Sequence, residues 1–160
     1  MEIRRAALAN LGLVASILEE AAAWQRARGI RQWPARVAVE DLACQLETCD
    51  WYLAWDGPEA VGTLTLQRSD PAVWGDRPPD ALYLHRLAVR RSHAGRGREL
   101  LAFAERTAAE AGRRYLRLDC MAANAGLRAY YERAGYAHRG EHRYDSGWTS
   151  SLYEKAVGGA

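Results

Sequence analysis

Three observations predict a mixed α/β fold with a central sheet of about seven strands and about four helices. Stretches with apolar residues at helical spacing alternate with short stretches at spacing two, Gly and Pro punctuate the boundaries, and one helix separates two strands that must therefore run parallel. At 160 residues the chain suits one domain with a real core.

After a short strand over Glu2–Arg5, Asn10 stands where it can cap a helix, and Leu13, Val14, Ile17, Leu18, Ala21 and Trp24 then follow the helical period until Gly29 stops it. A second helix follows Pro34, with Val39, Leu42 and Leu46 on one side and no good capping residue before it. The period changes at Trp51–Trp55 and Ala60–Gln67, which flank Asp56-Gly57-Pro58 as a hairpin. Arg68–Asp80, with Pro71, Pro78 and Pro79, reads as a loop.

Strand Ala81–Val89 leads through a glycine loop into helix Leu100–Ala111, ended by Gly112. Strand Tyr115–Cys120, helix Leu127–Ala134 ended by Gly135, and strands Tyr136–Arg143 and Ser150–Val157 complete the order βααβββαβαββ. The strands flanking the third helix are expected to be parallel and the hairpins antiparallel. No repeat or linker divides the chain, so residues 1–157 are read as a single domain and 158–160 as a loose tail.

The 49% hydrophobic and 26% charged content argues against both a disordered tail and a membrane bundle. No apolar run approaches the roughly 18 residues of a membrane span, and neither a signal peptide nor an anchor is expected. Cys44, Cys49 and Cys120 are an odd set without zinc-site spacing, which points to a reducing compartment and a cytoplasmic location. The net charge of +2 names no partner. Its distribution says more, because Lys155 is the only lysine and Arg86, Arg90, Arg91, Arg96 and Arg98 cluster where a planar oxyanion such as phosphate would be met. That cluster lacks the aromatic interleaving of a nucleic-acid surface, so neither nucleic acid nor membrane is expected as a partner.

The most informative stretch, Leu82 to Leu101, runs strand, glycine loop, helix start. Glycines turn the backbone tightly and a helix adds its positive end, so the place suits a pyrophosphate; the bland alternative is an ordinary strand-to-helix turn. A Rossmann loop would need glycine where Leu100 stands, and a P-loop would need a lysine that this region lacks. His138-Arg-Gly-Glu-His142 spells a metalloprotease pattern, but Gly140 and the strand-forming context deny it the helix it requires. No nucleophile elbow and no calcium loop is present, and no metal is expected.

Two blocks in the right order resemble the GNAT superfamily of acyl-CoA-dependent N-acyltransferases. Leu87-Ala88-Val89 matches the family's strand end, and the loop through Gly95, Arg96, Gly97 and Arg98 matches the segment whose amides bind the coenzyme A pyrophosphate, with Gly97 at the central glycine. Ala94 departs from the family's Arg/Gln and Glu99 from its final small residue, which implies weakened cofactor affinity. The second block runs from Asn124 to Tyr136, with Asn124, Tyr131, Glu132 and Gly135 at the family's spacing and Leu127 at its usual alanine.

The resemblance implies a fold splayed between the fourth and fifth strands, where pantetheine pairs with the strand ending at Val89. It also implies acetyl-CoA as acyl donor and co-substrate, and a primary amine attacking directly in a ternary complex. The alternative it leaves open is a non-catalytic acyl-CoA-binding or regulatory domain; homodimers are common in the family.

Such an attack needs a held cofactor, a neutral nucleophile, support for the oxyanion and help for the leaving thiolate. By resemblance Tyr131 sits beside the sulfur. Full proton transfer from a phenol to a thiolate is uphill by roughly 2 kcal/mol, which favours partial donation through a hydrogen bond. A core-packed tyrosine is the structural alternative.

His85 resembles the second of the paired histidines in aralkylamine members, with Tyr83 at the first, and is the candidate base; a histidine hydrogen-bonded within the sheet is the equal alternative. Tyr83, His85, Leu87 and Val89 would share one strand face, subject to any bulge. Trp33 and Trp74 are candidates for walling an acceptor pocket or anchoring loops. Asp119 would attract an ammonium group or cap the following turn.

Overall fold

The structure is a computed structural model that describes residues 1–158. Its elements are β1 Glu2–Arg5, α1 Leu11–Arg26, α2 Val39–Cys44, β2 Cys49–Asp56, β3 Glu59–Gln67, α3 Pro71–Trp74, β4 Ala81–Val89, α4 Gly97–Glu110, β5 Tyr115–Met121, α5 Ala125–Arg133, β6 Ala137–Arg143 and β7 Thr149–Ala156. The strands form a seven-stranded sheet in the order β1-β2-β3-β4-β5-β7-β6. The expected mixed α/β sheet is present, with five α-helices among the described residues instead of about four. The chain falls into two compact units, Met1–Leu66 with Arg86–Phe103, and Gln67–His85 with the chain from Ala104 onward.

In the first unit α1 buries Leu11, Val14, Ile17 and Leu18 against Leu42 of α2, Trp51 and Leu53 of β2, and Ala60 and Ala88. These positions recur every three or four residues, so one stripe meets the core, while Leu13 falls off the stripe and is exposed. Asn10 precedes α1 but does not cap it. Its own backbone is already helical and its Oδ1 accepts from the Ala7 N–H at 3.1 Å, closing a preceding 3-10 turn. Gly29, at φ 75, ends the helix, and the Ile30 N–H reaches back to the Gln25 carbonyl. The short α2 begins without a side-chain cap and buries only Leu42. Gly57, at φ 57, makes the turn between β2 and β3.

Arg86 is the one non-glycine residue with positive φ, at 52, among the described residues. This interrupts the simple alternation expected along β4 from His85 to Leu87 and Val89. Its guanidinium lies over the Trp51 ring, 5.3 Å from the centroid. The side chain is thus held by the first unit's core.

In the second unit β4 pairs with β5 in parallel from Ala81↔Tyr115 to Leu84↔Leu118, as the helical crossover demands. β7 pairs antiparallel with both β5 and β6, and so lies between them. The loop expected over Arg68–Asp80 contains α3. Pro71 at its first turn has φ already set for a helix, which composition alone read as a turn signal. Arg117 on β5 is buried, and its charge is met by Asp80 at 3.0 Å, Glu154 at 2.8 Å and the Tyr83 hydroxyl at 3.0 Å.

β6 carries His138, Glu141 and His142, with Gly140 at φ 123 in a register shift between His138 and Gly140. His138 packs on Tyr153 and His142 on Tyr144, so the two imidazoles serve separate aromatic contacts. At the end of the chain, Gly158 is fastened rather than loose, since its N–H and that of Val157 both donate to the Arg114 carbonyl. The expectation for 159–160 lies outside the described residues.

Candidate active site

The first unit carries the loop between β4 and α4. Glu20 on α1 fixes its start by accepting from the Arg91 N–H at 2.8 Å and from the Arg90 guanidinium at 2.7 Å. Arg90 also donates to Ser16 Oγ and to the Ala60 carbonyl. Burial alone would raise the Glu20 carboxyl, but the Arg91 N–H and Arg90 outweigh it and hold it below the usual carboxylate range. A depressed carboxyl stabilises the folded state above its ordinary pKa, and that contribution is lost as pH falls through the lowered value.

Gly95 sits at φ 96, which only glycine adopts without strain, and an added Cβ there would meet nothing within 4 Å. The helix begins at Gly97, earlier than the expected Leu100. Within its first turn, Glu99 donates its N–H to the Arg96 carbonyl, while the Gly97 and Arg98 amides have no intrahelical acceptor. An open turn, first-turn amides and the exposed Arg98 fit a pyrophosphate.

Arg96 is already committed. Its Nε and Nη2 reach Glu99 at 2.7 and 3.2 Å, and its Nη1 reaches Asp56 at 2.9 Å. The Arg96 bonds hold the Glu99 carboxyl below its usual range, so the carboxylate that departs from the family pattern is balanced within the loop. Ala88 is packed in the core, and Leu87 and Val89 are half-buried.

The second unit carries a cluster around His85. Its Nε2 lies 3.2 Å from Asp70 Oδ2 and its Nδ1 lies 4.0 Å from Asp119 Oδ1. Burial raises the Tyr144 phenol above its usual range, and its hydroxyl shares hydrogen bonds with Ser150 and Asp119. Asp119 therefore faces His85 and Tyr144 instead of capping the following turn. Asp70 was not a sequence candidate. Its only sequence signal is the Asp-Pro dipeptide of a turn, and nothing in the pattern links it to His85.

Tyr131 is buried, with ring centroids of Tyr130, Tyr136 and Tyr153 at 5.3, 5.8 and 6.2 Å. Burial first, then the neighbouring Cys120, Tyr130 and Asp119, raises its phenol above the usual range. Glu132 accepts from the Tyr153 hydroxyl at 2.8 Å and Arg128 donates to it at 3.3 Å, which fixes one of the rings against Tyr131. Asn124 caps α5, its Oδ1 accepting from the Leu127 N–H at 3.1 Å. Asn124→Ala is expected to cost about 1 kcal/mol of stability, measured by denaturant unfolding.

Trp74 does not line an accessible pocket. It is 5% exposed and packs with Tyr83, Ala81 and Leu152, with the Arg117 guanidinium over its ring, so its role is to anchor α3. Trp33 is half-buried against the first unit's core.

The sequence model described as Acetyltransferase (GNAT) family matches residues 18–136. The chain belongs to the GNAT acetyltransferase family. It is 30% identical over 154 residues to the uncharacterized N-acetyltransferase YesJ of Bacillus subtilis, covering 90% of this chain and 83% of that protein. A GNAT-family acetyltransferase structure from Listeria monocytogenes aligns with a TM-score of 0.77 at 24% identity, over 98% of this chain and 94% of that one. YncA from Salmonella typhimurium, solved with acetyl-CoA, aligns with a TM-score of 0.71 at 15% identity, over 100% of this chain and 95% of that one.

In this GNAT member Tyr131 is packed among aromatic rings, and Glu99 is engaged by Arg96 within the loop. No helix among the described residues is long and apolar enough to cross a membrane.

Proposed function

We propose that this GNAT member is an N-acetyltransferase that moves the acetyl group of acetyl-CoA onto a primary amine by direct attack in a ternary complex. Tyr131 carries the reading. It stands at the family position, and its phenol is kept protonated by burial, the state a hydrogen-bond donor to a departing thiolate requires. The Gly97 and Arg98 amides and the Arg98 side chain hold the pyrophosphate. The backbone of Leu87, Ala88 and Val89 takes pantetheine as an added strand and polarises the thioester carbonyl.

His85 accepts the proton of the attacking amine, its ring oriented by Asp70 and Asp119. The amine nitrogen forms the new bond to the carbonyl carbon, the carbon–sulfur bond breaks, and Tyr131 supports the thiolate. Calorimetric titration with acetyl-CoA and with CoA, followed by thiol release across a panel of amines, tests the proposal. Binding with amine-dependent release is expected; binding of neither ligand overturns it.

One observation favours the regulatory alternative, namely the occupation of Arg96 by Glu99 and Asp56 within the glycine loop. Glu99→Ala removes a carboxylate from the first turn and releases Arg96 from it, and is expected to tighten acetyl-CoA binding by about two- to tenfold, more at low salt. Unchanged or weaker binding by calorimetry would show that the Arg96–Glu99 pair does not compete with the cofactor.

A further inference from the structure

We propose that Asp70 is a positioning residue that fixes the tautomer of His85 and leaves Nδ1 as its basic atom, and that Nδ1 and Asp119 together receive the acceptor as a primary alkylammonium ion. This placement rests on the transferase reading above and gives it an acceptor class.

A neutral imidazole carries one N–H and one lone pair, so its two nitrogens play different parts. His85 Nε2 and Asp70 Oδ2 are buried 3.2 Å apart, and neither has another hydrogen-bond partner among the described residues. The Asp70 side chain is only 10% exposed, which leaves it little water to bond instead. A carboxylate offers acceptor lone pairs alone, and an unprotonated Nε2 facing them would be repelled. The proton therefore sits on Nε2, and the lone pair falls to Nδ1.

Nδ1 faces the second carboxylate, with Asp119 Oδ1 at 4.0 Å. That is beyond hydrogen-bond range and both atoms accept, so they stand across a gap that suits a shared donor. A nitrogen about 2.8 Å from each would see them at roughly 90°, within the tolerance of two tetrahedral N–H bonds. A hydroxyl has a single hydrogen and satisfies one side only.

Charge narrows the choice further. The Asp119 side chain is 15% exposed, so its carboxylate favours a cation over a neutral partner. Primary alkylamines are charged at neutral pH, as lysine is, whereas arylamines are not. The Tyr144 hydroxyl bonded to Asp119 steadies the carboxylate. Asp119 is also close enough for its charge to raise the Tyr131 phenol, so the amine cradle and the proposed partner of the thiolate are neighbours in the second unit.

The ammonium gives one proton to Nδ1 and keeps two N–H bonds. Its freed lone pair forms the bond to the acyl carbon as the carbon–sulfur bond breaks. One of the two remaining protons then leaves nitrogen and balances the sulfur released as a thiol, while the proton on the ring passes to solvent.

Nitrogen-15 NMR of the histidine side chains reads the tautomer without any turnover, and His85→Gln identifies the signal by its loss. At mildly alkaline pH His85 is expected to show a protonated Nε2 and an unprotonated Nδ1. The amide of Asp70→Asn is able to donate to Nε2, so this variant is expected to admit the Nδ1–H form and to lower kcat at least about tenfold, with KM for acetyl-CoA unchanged. Asp119→Asn keeps an acceptor for Tyr144 but loses the charge, and is expected to raise KM for benzylamine at least about tenfold with the His85 spectrum as in the parent. The parent is expected to acetylate benzylamine and not aniline, and thermal melting verifies that each variant is folded. A protonated Nδ1 in the parent overturns the proposal, as does an unchanged KM for benzylamine in folded Asp119→Asn. If no amine releases thiol while the expected tautomer is found, the transferase reading fails and the acceptor class with it, and only the hold of Asp70 on the ring stands.

Discussion

Tyr131→Phe is expected to lower kcat by about 10² to 10³ while the fold and the affinity for acetyl-CoA remain close to those of the parent. The reasoning begins with packing. The Tyr131 ring meets Tyr130, Tyr136 and Tyr153, and phenylalanine preserves those edge and tilted contacts, so only the hydroxyl is lost. Next comes proton affinity. Burial raises the phenol above its ordinary value, which makes complete transfer to a thiolate still less favourable than the roughly 2 kcal/mol of the unperturbed pair.

Tyr131 therefore acts as a neutral donor whose bond strengthens as charge develops on sulfur. A raised phenol also stays protonated through the alkaline range where an ordinary tyrosine ionises, so kcat is expected not to fall there on its account. Steady-state kinetics on the two proteins, with melting curves alongside, check the prediction. An unchanged kcat would reduce Tyr131 to a packed core residue.

Much of the fold is legible from spacing alone, because the strands are short, bounded by Gly and Pro, and separated by helices with an apolar stripe. β4 is found at the expected Ala81–Val89, and Gly29, Gly57, Gly112 and Gly135 all take the positive φ that a chain reversal needs. Asn10 misleads since a capping side chain is also at home closing a 3-10 turn, and both uses leave the same sequence signal. α3 is hidden because Pro71 signals a turn and a helix start equally well. Trp74 looks like an exposed aromatic in a loop until α3 turns it inward.

The candidate site divides in the same way. Local motifs mark the glycine loop and Tyr131, for their geometry is set by neighbouring residues. Asp70 is invisible in the sequence because its meeting with His85 depends on how β4 and the α3 loop are placed, a long-range matter that no spacing rule encodes. Arg96 makes the same point in reverse. Its position in an arginine cluster suggests a phosphate ligand, and only the structure reveals that Glu99 and Asp56 already engage it.

His85→Gln is expected to lower kcat/KM by about 10²-fold and to remove the acidic limb of its pH profile. Glutamine can still accept a hydrogen bond but does not take up a proton near neutral pH, so it separates proton transfer from simple positioning. The placement of His85 between Asp70 and Asp119 serves both readings of the residue, since two carboxylates orient an imidazole for catalysis and also anchor one in a sheet. The pH profile distinguishes them. A base leaves its titration in kcat/KM, and that limb vanishes with the imidazole, whereas an anchoring histidine affects stability and leaves the limb where it was. If His85→Gln melts earlier yet keeps the parent's acidic limb, the proton of the amine leaves by another route and His85 belongs to the framework of the site.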